Sequence, residues 1–422
     1  MTDNVMRDLK MAEISLAKVR DVGKMEQEAR QLLSDFRVSI KVKDEVVNAL
    51  DTIEKASDYQ INPTMVEDVD GVINGRADLI IKDGSVSVSG TEAFGLTMLP
   101  AEWRITRMAA LKRLVSESYK NIKRWANQLS DNFNRRWLEL TTSVEVLESR
   151  LESVEATLDV VGSIVEGKEK VELNEILARS ISKNGKVLTG DLSKALTVEI
   201  KYILFCMKMW EMEQIRFKNS IIRYFGNDRN QDLTMIERTL PKMFDQRGKL
   251  DDPSQAGMLF ARDSRPMLDG HYIQGIALEP KWVKDNVKGP EDNTLYADTL
   301  SLTGYELRQD EALKVSKVTV PTMQMSQLYE MRDLVKDIIN KLKEMNLESD
   351  PVNFNPDDVK DVLGTLRAGD GDEARAYQYG LLTSDYQFNV NALKTQVSSM
   401  LIVLASHYIT MMNHHLECYD VE

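Results

Sequence analysis

Apolar residues in the middle of this chain recur at helical spacing over a very long stretch. From Trp103 they fall at Ile105, Met108, Leu111, Val115, Tyr119, Ile122, Ala126, Leu129 and Phe133. They continue at Trp137, Leu140, Val144, Leu147, Leu151, Val154 and Leu158. From Leu140 onward the steps alternate between four and three, which is the heptad seam of helices packed side by side. No Pro or Gly interrupts Trp103 to Val161, and a helix of that span would be roughly 85–90 Å long at 1.5 Å per residue. Such a rod needs a partner along its length, because most helical stability comes from burying an apolar face.

A second stripe supplies a candidate partner. After a short piece read as helical (Val171 to Ser182) and an Asn184-Gly185 turn, apolar positions run Leu192, Leu196, Tyr202, Ile203, Cys206, Trp210, Phe217, Ile221 and Phe225. Glu199 lies in the same line, and Gly226-Asn227 is the stop signal. Residues 93–226 are therefore read as a long antiparallel helical hairpin. A parallel homo-oligomeric coiled coil through the Leu140 to Leu158 seam is the alternative.

The flanks have different textures. Residues 4–57 are highly charged and helical in pattern, with a break near 35–43. Val66 to Gly90 then carries the turn dipeptides Asp70-Gly71, Asn74-Gly75 and Asp83-Gly84. Residues 1–92 thus read as a charged helical segment followed by a turn-rich linker. Between 227 and 320 Gly, Pro and Asp become common, and β-like runs appear at Met258–Ala261, His271–Ala277 and Thr299–Tyr305. Phe260 to Gly275 reads as strand, polar turn, strand, so this stretch is a small β-containing lobe. Residues 321–422 return to helices. One carries Leu328, Met331, Val335, Ile338, Leu342 and Met345. The other carries Val390, Leu393, Val397, Met400, Leu404, Tyr408, Met411 and Cys418 on one face. The predicted fold class is mainly α: a long antiparallel helical hairpin or bundle with a small α+β lobe, completed by the C-terminal helices.

Composition narrows the function classes. The 422 residues suffice for more than one core, and 42% apolar with 29% charged residues is a globular balance. The formal charge of −13 disfavours a chain that coats nucleic acid by counterion release. Only Cys206 and Cys418 are present, too few for a disulfide framework. The polar start, Met1 to Lys10, has no signal-peptide core, and the longest apolar stretch (Val397 to Ala405) is too short to span a bilayer. These features point to a reducing cytoplasm and no membrane. The 21 methionines suit the irregular gaps between packed helices.

Catalytic and cofactor signatures are absent. No phosphate-cradling Gly-rich loop, G-x-S-x-G or H-E-x-x-H occurs, and four histidines leave little material for a triad. His407, His414, His415, Glu417 and Cys418 cluster at the C-terminal end, where His414 and Cys418 share a helix face. A tetrahedral site needs further ligands, so a plain helix end is the favoured reading. The acidic loop from Gly369 to Glu373 lacks Ca²⁺-loop spacing. No cofactor or metal is expected.

One charge asymmetry stands out. Arg104, Arg107, Lys112, Arg113, Lys120, Lys123, Arg124, Arg135 and Arg136 face only Glu117 and Asp131, whereas Glu139 to Glu155 is acidic. The basic half could touch nucleic acid or an acidic protein face. The favoured reading is the solvated side of an amphipathic helix.

Several of these patterns together carry a resemblance. They are the Arg135-Arg136-Trp137-Leu138-Glu139-Leu140 run, the heptads to Glu152, Ile181 to Lys186, the hairpin from Arg262 to His271 and the C-terminal helix. Over roughly residues 100–420 the chain resembles the internal head (inner capsid) proteins of large myovirus-type tailed phages. That resemblance implies a virion structural protein packaged inside the head, made in the host cytoplasm, with other virion or capsid proteins as partners. It also implies removal of an N-terminal propeptide by a head-maturation protease that cuts after a Glu preceded, two positions earlier, by a small or apolar residue. Gly90, Thr91, Glu92 and Ala93 fit that pattern within the linker. Ser143-Val144-Glu145 and Ser153-Val154-Glu155 fit it too, but inside the predicted helix. The competing functions are a helical adaptor or scaffold acting through coiled-coil contacts, and an enzyme with an unrecognised site in 227–320.

Overall fold

The computed structural model describes residues 143–226, 233–310, 314–345 and 373–421. Contacts divide the chain into two units. Among the described residues the second holds only 373–384, a stretch of helix, and all others belong to the first. The candidate cleavage site Gly90–Ala93, the basic positions from Arg104 to Arg136, the acidic loop before Glu373, and Leu140 lie outside the described residues.

Helix α1 covers 143–158 and buries its seam: Val144, Leu147, Leu151, Val154 and Leu158 are each at most 3% exposed. Its polar flanks identify its neighbours. Glu148 pairs with Lys343 at 2.5 Å and Glu155 with Lys336 at 2.5 Å, both on helix α6 (Met325–Met345). These pairs run in opposite senses, so α1 and α6 are antiparallel. Arg150 donates to Ser406 (2.7 Å) and Thr410 (3.0 Å) on helix α7 (Glu373–Leu416). The neighbours that these contacts identify are thus α6 and α7, each more than 160 residues away in sequence.

Helix α1 stops at 158, short of the expected Val161. Val160 and Val161 are β-branched and Gly162 follows, a sequence that favours extended backbone. Strand β1 (Val161–Ile164) pairs there with β10 (Tyr419–Val421). The stretch expected to be helical from Val171 to Ser182 is also mixed. Strand β2 (Lys170–Leu173) pairs with β9 (Val318–Pro321), and only α2 (Glu175–Ser180) is helical. Asn174 marks its start, its side chain accepting from the Leu177 amide at 2.9 Å. Strands β3 (Ser182–Lys183) and β4 (Lys186–Val187) form a hairpin whose Asn184 and Gly185 have φ of 52° and 70°. The Asn-Gly dipeptide favours this turn because both residues accept positive φ.

Helix α3 (Leu192–Gly226) buries Leu192, Leu196, Glu199, Ile203, Cys206, Trp210, Phe217, Ile221 and Phe225, all on the expected stripe. It packs on α6, where Ser193 and Glu330 hydrogen-bond at 2.5 Å, and Phe217 stacks near Tyr386 of α7, ring centroids 6.0 Å apart.

The β-containing lobe is a four-stranded antiparallel sheet in the order β5 (Gln246–Arg247), β6 (Leu259–Asp263), β7 (His271–Leu278), β8 (Gly304–Gln309). The β6–β7 hairpin is the one expected, with Ala261 opposite Ile276. Its turn closes at Asp269-Gly270, both at positive φ. Thr299–Tyr305, expected to be β-like, instead straddles a boundary. Helix α4 is Pro280–Asn286, α5 runs Asn293–Leu300, and β8 begins only at Gly304. Thr299 and Ser301 donate to the carbonyls of Leu295 and Asp298, local bonds that extend the helical turn to this point.

Helix α7 departs from the amphipathic helix expected. From Asp385 to Leu416 only Asn413 is exposed, and even Lys394 is 1% exposed. A helix covered on nearly every side sits at the centre of a fold rather than on its surface. The helix ends at Leu416, leaving Cys418 in the turn before β10. Met207, Met267, Met331, Met411 and Met412 are fully buried, the gap-filling role expected of them.

Candidate functional site

Two polar groupings, the first buried and the second half-buried, hold the lobe to the helices. In the first, Arg238 follows α3 and its guanidinium lies over the Phe217 ring, 4.4 Å from the centroid. It donates to the Thr303 carbonyl at 3.0 Å and to the Asp385 carboxylate at 3.1 Å. Asn389, one turn on, donates to the Asp385 carbonyl and carboxylate, each at 2.9 Å. Burial pushes the Tyr305 and Tyr386 hydroxyls well above the usual tyrosine range. These groups fix geometry.

The second grouping surrounds the β6–β7 turn. Asp269 forms an ion pair with Arg179 of α2 and accepts from Gln309 of β8. Glu199 of α3 pairs with Lys183 at 2.8 Å and Arg265 at 3.7 Å, and Arg265 stacks over the Tyr202 ring at 3.6 Å. Burial holds His271 below its ordinary pKa. It also pushes the Cys206 thiol up to about 11, so that thiol is inert at neutral pH. Cations and carboxylates neutralise each other here, the pattern of a structural clasp between α2, α3 and the sheet.

Beside Arg238 lies an open cleft of about 500 Å³ with Leu240, Phe244, Phe260 and Tyr296 on its walls and Lys242 and Arg262 among its charges. The C-terminal His/Cys group does not converge. His415 is fully buried and accepts from the Met323 amide at 3.1 Å, while the Cys418 thiol donates to the His414 carbonyl. Among the described residues no three His, Cys, Asp or Glu side chains are placed to hold a metal ion. No helix among them is long and apolar enough to cross a membrane.

Of the residues singled out from sequence, the seam from Val144 to Leu158 lies in the core. Arg238 and Asp385 gave no sequence signal, since neither belongs to a motif and their meeting spans 147 positions.

Residues 76–201 match the family of phiKZ-like phage internal head proteins. The family read from the sequence is borne out, over 76–201 and not over the roughly 100–420 that the resemblance was read to cover. An internal head protein resides inside the phage virion head and is made in the host cytoplasm. The matched stretch takes in Gly90–Ala93, the basic positions from Arg104 to Arg136 and the seam to Leu158, and ends inside α3. No curated protein and no solved structure matches the chain.

Proposed function

We propose that this internal head protein is a non-enzymatic building element that packs against other head proteins through helix faces, and that a head-maturation protease removes residues 1–92. The observation that carries the reading is the family match over 76–201, which spans both the Gly90–Ala93 pattern and the buried α1 seam. In this reading the apolar positions from Trp103 to Leu140 continue the α1 seam as one long helix that forms a hairpin or bundle. The net charge of −13 makes protein–protein packing the better role than direct coating of DNA.

Mass spectrometry of purified particles tests this. An N-terminus at Ala93 within particles supports both the role and its maturation. An intact Met1 in particles keeps the role and removes the cleavage. Absence from particles would leave the helical adaptor as the reading.

A further inference from the structure

Helix α3 has two seams. Opposite the buried one, Lys194, Val198, Lys201, Phe205, Lys208 and Met212 follow one another at alternating steps of four and three, and all six are exposed. Val198, Phe205 and Met212 are 59%, 51% and 53% exposed. Single exposed apolar residues need no explanation, but three in heptad register form a continuous stripe.

Helix α1 carries a second outward line with the same steps: Glu145, Ser149, Glu152, Ala156 and, in the turn after it, Asp159, all exposed. Its acids repeat every seven residues with a small residue between each pair. Among the described residues Lys201 and Lys208 form no ion pair, nor do Glu145, Glu152 and Asp159.

The two lines are complementary in sign, size and length. Lysines on one stand against carboxylates on the other, and large apolar residues against Ser149 and Ala156. Residues 198–212 and 145–159 each extend about 21 Å at 1.5 Å per residue. We propose that the outer face of α3 in one copy of this chain docks on the outer face of α1 in a second copy.

Other occupants fit less well. Two α3 faces meeting antiparallel would set lysine flank against lysine flank, which costs free energy. A phosphate backbone would satisfy the lysines but leave Phe205 and Met212 uncovered. The contact joins two different faces, so each copy keeps one face free and the arrangement propagates unless it closes into a ring. This deepens the assembly role proposed above, and its failure would leave the particle result unaltered.

Sedimentation of the full chain at about 0.1 M and about 1 M salt tests it, since screening shortens the reach of exposed charges from about 10 Å to about 3 Å. Concentration-dependent growth is expected at low salt and its loss at high salt. Lys201→Glu with Lys208→Glu should abolish growth, as should Glu145→Lys with Glu152→Lys. Mixing the two variants should restore it. Phe205→Ala should weaken association about tenfold, equivalent to about 1.4 kcal/mol. Circular dichroism should stay unchanged in all, because every position is exposed. A wild-type chain that remains monomeric at low salt overturns the proposal, including one that instead retains duplex DNA through the lysines. So does assembly that depends on the lysines but not on Glu145 and Glu152.

Discussion

Arg238 donates to Asp385 at 3.1 Å with their side chains only 1% and 8% exposed, so the segment after α3 is tied to the central helix by a charge pair shut away from water. Removing Arg238 takes away the cation that faces the buried Asp385 carboxylate. Arg238→Ala should therefore lower unfolding free energy by about 3–5 kcal/mol. Replacing both residues with apolar ones of similar volume should cost much less. Denaturant titration of the single and double variants separates the two cases.

Gly304 begins β8 directly beside this pair. A Cβ placed there would fall 2.0 Å from the Asn389 Oδ1 atom, and Asn389 is held in place by two bonds to Asp385. Gly304→Ala should destabilise by about 1–3 kcal/mol through overpacking. Asn389→Ala in the same chain should recover part of the loss, read as the shift in denaturation midpoint.

Leu147 is wholly buried in the α1 seam. Leu147→Ala should cost about 2–5 kcal/mol from lost contacts and the residual cavity. Leu147→Lys should unfold α1 from α6 and α7, seen as lost helicity and a lower melting temperature. Unchanged helicity and stability would mean that the seam is not buried in solution.

His415 provides a pH test. Burial depresses its pKa to about 4, below the unfolded value of about 6.5. Between those values the unfolded chain binds the extra proton, so stability should fall as pH drops from about 6.5 to about 4. The contribution at stake is about 3 kcal/mol. His415→Asn keeps an acceptor for the Met323 amide and should flatten this dependence in urea titrations across the window.

The seams of α1, α3 and α6 were legible because side-chain period is local: steps of three and four require no knowledge of the rest of the chain. The hairpins at Asn184-Gly185 and around Asp269-Gly270 were legible for the same reason, since turn chemistry resides in two residues. The partner of a seam was not. Nothing in Leu147 or Leu151 says that α6 and α7 come back to flank α1. Nor does any pattern announce that Lys394 lies in the core, because a lysine among apolar positions reads as a solvent-facing residue until the neighbours that cover it are known. The strands β1 and β2 escaped notice because four-residue strands carry too little alternation to be distinguished from helix ends.

The pairing of β1 with β10 has a temporal consequence. Val161 and Ile164 meet Val421 and Tyr419, partners made some 250 residues later. At roughly 5–20 residues per second, a ribosome needs about 10–50 s to reach them. Until then the strand after α1 stands without its mate, and α1 itself waits for α6 and α7. The β1–β10 pair therefore closes only after residues 419–421 have been synthesised, whereas α6 can reach the α1 seam once residue 345 has been made.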